Sequence, residues 1–535
     1  MSEAAIGILT NLLGAARVST SADDLAYFST DIAGEPTQMP VVIVRPPGVD
    51  EACRVVKLLT DLNVAVVPRG GGFSAHGGYQ ASGAYAILDL RDLDRIVEIN
   101  EADRFVTVEA GCTWSTLSAA LKHRGLRTPF FGPLTGYAST VGGAASSNSW
   151  FFGSGTFGTM ADTVIGLDVV LADGSLVETG AAAAEGRAPF LRHFGPDLTG
   201  MFLGDCGAFG VKLRVTLPLI AQPVAEGYVS FAFERFEDIA DAHAVLARED
   251  VVAEQWGFDP EGNEALARAG FKFLEGVTFA HDPSPEYLDR LKLRQVDGHR
   301  TALRGGYSLH AVVEGANERE VETKLGRVRR MMMPIAIKEL PNAIPQKTRE
   351  NALRELAPLL GPAGENQLPA QGFFPLSNAS TIVAVTEEYF IRHREELAKH
   401  DIRIVTVTGT VGNAFVLEPS FLWRDRLHAF HKRHAPDMGG KAPDANPAAR
   451  AAVMRLRRDL IGLWGAYGAA YVQVGRSYPY TSQLSSAARA FVEAIKHALD
   501  PRGLMNPGAL QLGLGAAPKT SRKFVEFPQN LLEGR

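Results

Sequence analysis

The stretch Pro68-Arg69-Gly70-Gly71-Gly72-Phe73-Ser74-Ala75-His76-Gly77-Gly78 constrains this chain more than any other, because it sets five glycines in eleven residues between two apolar runs. Backbone so bare can approach a ligand closely and aim several N–H groups at one anion. The runs 64–67 before it and 84–90 after it read as buried strands, so the loop joins strand to strand. A Rossmann fingerprint or a P-loop would open a helix instead, and the Gly-Lys-Ser/Thr of a P-loop is absent. Taken by itself the loop reads either as a plain turn or as a cradle for a pyrophosphate.

At 535 residues the chain exceeds what one core organises, so two or three domains are expected. With 46% hydrophobic and 21% charged residues it has the composition of an ordinary globular protein. The formal net charge of -6 supplies no basic face for nucleic acid or an anionic membrane, which leaves small molecules as the expected partners. The start Met1-Ser2-Glu3-Ala4-Ala5-Ile6 lacks a basic n-region, and no apolar run approaches eighteen residues. The expected location is therefore cytoplasmic, without an integral membrane segment. Cys53, Cys112 and Cys206 are widely spaced, which predicts buried thiols rather than a disulfide framework or a zinc site. His428, His431 and His434 recur every third residue, but without a carboxylate pattern they read as a basic helix end, and no metal is expected.

Along the chain, strand 41–44, helix 50–62 and strand 64–67 form a β-α-β unit, with Val55, Leu58, Leu59 and Leu62 as the expected buried face of the helix. Strands 96–99 and 105–109 alternate in the half-buried manner, and Thr113 caps a helix that Gly125 ends. A second stretch of small residues, 132–148, offers hydroxyls and main-chain donors, and 153–159 continues it. A hairpin follows over 164–178, then a glycine-rich turn at 201–211. Further on, strands 227–233 and 307–314 alternate with helices 237–246 and 319–330. Residues 381–385 and the helix 387–399 continue that alternation, before a strand pair 402–408 and 413–417 and a loop at 435–447.

The ordered series PRGGG (68–72), VTVEAG (106–111), STVGG (139–143), FGTMADTVIGLDVVLADG (157–174) and FLGDCGAFGV (202–211) resembles the FAD-linked oxidase domain of the vanillyl-alcohol-oxidase / p-cresol methylhydroxylase (PCMH) superfamily. The segment LDPRGLMNPG (499–508) is similar to that family's C-terminal signature. The resemblance covers about residues 40–220 and implies an α+β fold. A two-subdomain PCMH-type FAD-binding domain (1–222) is joined by a cap with a mainly antiparallel sheet covered by helices (223–445). C-terminal helices and a tail (446–535) return to the FAD domain.

The family match implies FAD contacts at Pro68, Arg69, Gly70, Gly71, Gly72, Phe73, Ser74 and His76, then at Thr135, Ser139, Thr140, Gly142, Gly143, Asn148, Gly158, Thr159, Asp162, Val211 and Asn506. Relatives that bond FAD covalently place a histidine where Phe73 stands, and His76 comes three positions later. A non-covalent FAD is therefore expected. The stretch 408–413 resembles the strand that bears the linking histidine in the vanillyl alcohol oxidase branch, but Phe415 to Glu418 follow where the histidine would fall. In place of the metal-binding Glu-His-Gly segment of the 2-hydroxy acid branch the chain has Val474-Gly475-Arg476-Ser477-Tyr478-Pro479-Tyr480. Arg476, Tyr478 and Tyr480 are the candidate catalytic residues. The fork of an arginine can hold a carboxylate or an oxyanion and a tyrosine can act as acid or base, though the same residues would also suit a packed loop.

The activity implied is oxidation of an alcohol or hydroxylated carbon, an aromatic or bulky alcohol before others, by hydride transfer to flavin N5, with electrons passed to oxygen or another acceptor. Alternatives are a 2-hydroxy acid (D-lactate- or glycolate-like) dehydrogenase, a non-redox flavoenzyme resembling alkyl-dihydroxyacetonephosphate synthase, and a non-catalytic flavin-binding protein. A homo-oligomer is compatible with each.

Overall fold

The apolar runs on either side of the glycine loop become neighbouring parallel strands. The computed structural model describes residues 1–32, 34, 38–263, 306–353, 360, 361, 364–434 and 443–512. In it β1 (Val18–Ser19), β2 (Val42–Val44), β3 (Ala65–Arg69) and β4 (Tyr85–Asp89) form a sheet in the order β1-β2-β4-β3, with β2, β4 and β3 parallel. The helix Val49–Asp61 crosses from β2 to β3 and buries Val49, Ala52, Val55, Val56 and Leu59. Its buried face is turned from the expected one: Leu58 is half-buried, and Leu62 lies past the last helical turn at 39% exposure. The chain leaves β3 at Arg69, runs through residues 70–84 and enters β4, so the glycine loop sits at the C-terminal ends of parallel strands, where such sheets bind ligands. β3 is also paired on its other side. The Val66 N–H donates to Leu504 O at 2.8 Å, and the Asn506 N–H donates to Val66 O at 2.9 Å.

β5 (Ile96–Asn100), β6 (Phe105–Glu109), β8 (Gly166–Val170), β9 (Leu176–Glu178) and β10 (Val211–Pro218) make an antiparallel sheet ordered β5-β6-β10-β8-β9. β7 (Leu126–Arg127) pairs separately with β11 (Ile220–Ala221). β6 is buried on both faces rather than one. Val106 and Val108 enter the main core, while on the other face the Thr107 and Thr216 hydroxyls bond at 2.9 Å and Glu109 pairs with Arg95 at 2.6 Å.

The third sheet takes β12 (Ala225–Phe233), β13 (Glu254–Phe258), β14 (Tyr307–Gly315), β15 (Lys338–Leu340), β16 (Asn366–Pro369), β18 (Arg403–Val411) and β19 (Ala414–Trp423) in the antiparallel order β15-β12-β14-β13-β18-β19-β16, and β17 (Gly372–Pro375) pairs with β19. The helix Glu318–Met332 packs so closely on β12 that a Cβ on Gly227 would lie 2.5 Å from Val321. Residues 381–385 correct the expected alternation, since they belong to the helix Ala379–Arg392. Ala379, Ile382, Val383, Thr386 and Tyr389 are buried at helical spacing, and this stripe outweighs the β-branched composition. Of the expected loop at 435–447, residues 435–442 lie outside the described residues.

A buried ionic cluster joins the sheets. Arg349 Nη1 lies 2.5 Å from Glu254 Oε1, and Arg349 also pairs with Glu226 and Glu314. Arg127 Nη2 lies 2.5 Å from Glu314, and Glu254 accepts the Gly153 N–H at 2.7 Å. Both guanidinium groups stack on Phe131, at 4.9 and 4.8 Å from its centroid. Among the described residues no helix is long and apolar enough to cross a membrane.

Candidate functional site

The glycine loop lines a cavity of about 300 Å³. Pro68 and Arg69 at the end of β3, Gly70, Gly71, Gly72, Phe73, Ser74 and His76 form one wall; Thr135, Ser139, Thr140, Gly142, Gly143 and Val211 face into the same space. The walls nearly touch. A Cβ on Gly70 would lie 2.2 Å from Thr140 Oγ1, and one on Gly71 would lie 2.1 Å from Ala138 O, so only glycine permits the approach.

Among the described residues, the main-chain N–H groups of Gly70, Gly71, Gly72, Phe73 and Ser74 donate to no protein acceptor. Arg69 Nε and Nη2 are buried without a partner, with the guanidinium 4.9, 5.0 and 5.3 Å from the ring centroids of Phe28, Tyr27 and Tyr79. A run of free N–H donors beside a buried guanidinium whose Nε and Nη2 are unused fits the pyrophosphate of a dinucleotide. Phe73 packs edge-on against Tyr137, Phe430 and His434 at centroid distances of 5.6, 5.3 and 4.9 Å. His76 is buried, and its Nδ1 has no partner. Burial, helped by the charges of Arg457 and Arg476, lowers its imidazole to about 4, so the ring is neutral.

Five expected cofactor contacts do not line this cavity. Asn148 ends the helix Val141–Ser147 with φ of 55°, and its Oδ1 accepts the Ala161 N–H at 2.9 Å. Gly158, Thr159 and Asp162 build the start of the helix Met160–Thr163, where Asp162 Oδ2 accepts the Thr159 N–H at 2.7 Å and its hydroxyl at 2.8 Å. Asn506 lies behind the glycine loop, where its Nδ2 donates to Gly78 O at 2.7 Å and to Cys206 O at 2.5 Å. Asn148, Thr159, Asp162 and Asn506 thus bond to neighbouring loops, and none of the five lines this cavity.

The three candidate catalytic residues are also outside it. Arg476 donates to Gly77 O at 2.8 Å, Asn506 Oδ1 at 2.5 Å and Pro507 O at 2.8 Å, so its fork braces the glycine loop from behind. Tyr478 is buried, stacks on Tyr471 at 5.0 Å, and accepts the Gln371 N–H on its hydroxyl at 2.8 Å. Tyr480 lines a separate cavity.

What lines the first cavity instead are Trp150, Phe151, Gln371, Val407, Glu418 and Gln473. Glu418 sits on β19 opposite Val407 of β18, and Gln371 Nε2 donates to its Oε2. Burial pushes the Glu418 carboxyl up to about 7, against the opposing pull of the Gln371 bond and the charge of Arg457. Arg457 donates to Pro369 O at 2.6 Å and stacks 4.9 Å from the Tyr478 centroid. Glu418 had one signal in the sequence: a lone carboxylate within the apolar run Phe415-Val416-Leu417-Glu418-Pro419-Ser420-Phe421 needs a reason to be there. Gln371 had none.

Residues 40–180 match the family described as FAD binding domain. This stretch is an FAD-binding domain. A p-cresol methylhydroxylase structure with substrate bound is similar over 96% of this chain and 97% of that one, with a TM-score of 0.74 and 17% identity. The chain has the FAD-linked α+β fold of the vanillyl-alcohol-oxidase / p-cresol methylhydroxylase superfamily. Among curated proteins, it is 29% identical to the glycolate oxidase subunit GlcD of Bacillus subtilis over 213 residues, 40% of this chain and 44% of that one. It is 28% identical to the D-lactate dehydrogenase [cytochrome] 1, mitochondrial, of Saccharomyces cerevisiae over 228 residues, 42% and 37% of the two chains. The chain thus spans less than half the length of these relatives.

Proposed function

We propose that the protein is an FAD-dependent oxidoreductase that oxidises the CH–OH carbon of an uncharged alcohol with an aromatic or otherwise bulky body, and that Glu418 takes up the hydroxyl proton. The supporting observation is that a half-buried carboxyl, pushed up to about 7, opens into the same cavity as the free N–H groups of the glycine loop. A general base works best with a pKa close to the operating pH. Bound FAD supplies the hydride acceptor. The chain does the rest: Gly70 to Ser74 and Arg69 hold the diphosphate, Gln371 orients the carboxylate, and Trp150, Phe151 and Val407 give the substrate body an apolar wall.

The wall also bears on substrate charge. A carboxylate on the substrate would stand in one cavity with Glu418, and the Arg476 fork that could have neutralised it is occupied by Gly77, Asn506 and Pro507. A 2-hydroxy acid remains the second reading, because the relatives of similar sequence include a glycolate oxidase subunit and a D-lactate dehydrogenase. Anaerobic mixing of the purified yellow protein with a panel of aromatic alcohols, D-lactate and glycolate decides between them. Bleaching by the alcohols supports the first reading, bleaching by the acids alone the second, and no bleaching with FAD intact overturns both.

A further inference from the structure

A second cavity, of about 330 Å³, adjoins the first along three segments of the chain. Ser147 and Ser149 line the first cavity, and Asn148 between them lines the second. Cys206 faces the first and its neighbour Asp205 the second, while Gln473 faces the first and Val472 and Val474 the second. Three times over, adjacent residues line the two different cavities, so the cavities are neighbours.

The lining of the second cavity is chemically plain. Met201, Leu203, Phe209, Val474, Ile495 and Leu510 give it an apolar surface. Its charged and amide groups are already engaged: Asp205 accepts the N–H groups of Gly207 and Phe209 at 2.9 and 3.1 Å and pairs with Lys212, and Asn148 Oδ1 holds the Ala161 N–H. The Tyr480 hydroxyl is different. Tyr480 as a whole is half-buried, and its hydroxyl has no hydrogen-bond partner among the described residues. At the rim, Phe491 is 69% exposed on the helix Ser486–Leu499, an apolar ring offered to solvent beside the opening. An apolar pocket of this size with an unengaged hydroxyl-bearing residue in its lining suits a flat, hydrophobic ligand that carries a carbonyl oxygen.

We propose that this cavity binds a quinone-class electron acceptor, with Tyr480 donating to a quinone carbonyl and the apolar lining holding the ring beside the flavin space. The inference rests on the redox reading above and names the acceptor that reading leaves open. The substrate loses a hydride and a proton as its CH–OH becomes C=O; the quinone gains the two electrons and two protons, and both of its carbonyls become hydroxyls. Overall, alcohol and quinone give carbonyl compound and hydroquinone, so no further oxidant is needed.

Equilibrium dialysis of the FAD-loaded protein against menadione tests the site directly. Ile495→Trp, which fills the cavity, should weaken binding about tenfold or more, and Tyr480→Phe, which removes only the donor, about fivefold, with FAD content unchanged in both. Anaerobic reoxidation of dithionite-reduced protein by menadione should slow in parallel. That arm needs no substrate, so it reads the acceptor site even if no alcohol bleaches the flavin. Equal menadione affinity and equal reoxidation rates in wild type, Ile495→Trp and Tyr480→Phe would overturn the proposal. So would full affinity in Tyr480→Phe alone if Ile495→Trp fails to fold.

Discussion

Arg476 Nη2 donates to Asn506 Oδ1 at 2.5 Å, and Asn506 Nδ2 in turn donates to Gly78 O and Cys206 O. The pair ties the end of the glycine loop to the turn at Cys206 and to the C-terminal segment that extends the edge of β3. Burial lowers the Arg476 guanidinium to about 10, which leaves it fully charged near neutrality.

Arg476→Ala therefore strips the donors from Gly77 O, Pro507 O and Asn506 Oδ1 at once. Leaving buried acceptors unpaired costs about 1–3 kcal/mol each at the outset, less where the loop relaxes toward water. The expected result is a lower melting temperature and weaker FAD retention, with the rate of flavin reduction at saturating FAD within about threefold of wild type, a change of under ~1 kcal/mol in the barrier. Stopped-flow reduction combined with FAD titration separates the two effects. A collapse of the reduction rate in fully loaded protein would return Arg476 to a catalytic role.

Glu418→Gln keeps the shape and the partner Gln371 but removes the base. Flavin reduction by the alcohol should fall about 10²–10⁴-fold while FAD binding persists. In wild type the rate should rise with pH through about 7, because the ionised carboxylate is the active form; in Glu418→Gln that rise should disappear. A pH profile of the reductive half-reaction on both proteins makes the comparison, and an unchanged profile in the variant would exclude Glu418 as the base.

The glycine loop, its flanking strands and the Thr135–Gly143 wall were legible in the sequence, because each depends on local properties: bare backbone, apolar runs and hydroxyl density. Gln371, Trp150 and Gln473 were not, and Glu418 showed only as a lone carboxylate in an apolar run, since the four come from separate segments brought together by the third sheet and the connections around it. The same distinction explains the displaced expectations. Thr159 and Asp162 occupy the right motif, but their mutual capping bonds are visible only once the short helix forms. Arg476 and Tyr480 are close in sequence yet serve different spaces, because Arg476 turns to Gly77 and Asn506 while Tyr480 faces the second cavity.

Phe73 stands in the loop where a linking histidine would be needed, and its ring is held among Tyr137, Phe430 and His434. The flavin is accordingly expected to be dissociable. Acid precipitation should leave the yellow colour in the supernatant as free FAD, and Phe73→Ala should weaken retention without changing that outcome. Flavin that stays with the denatured pellet would show a covalent link and point to His76, the imidazole that lines the same cavity.

Acid should destabilise the fold through its buried imidazoles. His243, His310 and His431 are each under 2% exposed, and burial lowers them from the ordinary 6.5 to about 4, 3 and 4. The folded state thus resists the proton that the unfolded chain accepts, so stability is intact above pH 6.5 and falls as pH drops from 6.5 toward about 4. Each such group contributes a slope of up to about 1.4 kcal/mol per pH unit within that window. His431 offers the sharpest check, because its ring stacks on His428 at 3.8 Å and neither nitrogen of either ring has a partner among the described residues. His431→Leu should leave stability at pH 7.5 equal or higher and flatten the acid slope by one group's share, as read from urea midpoints at several pH values; an unchanged slope would mean that His431 is already protonated in the folded protein or accessible to water.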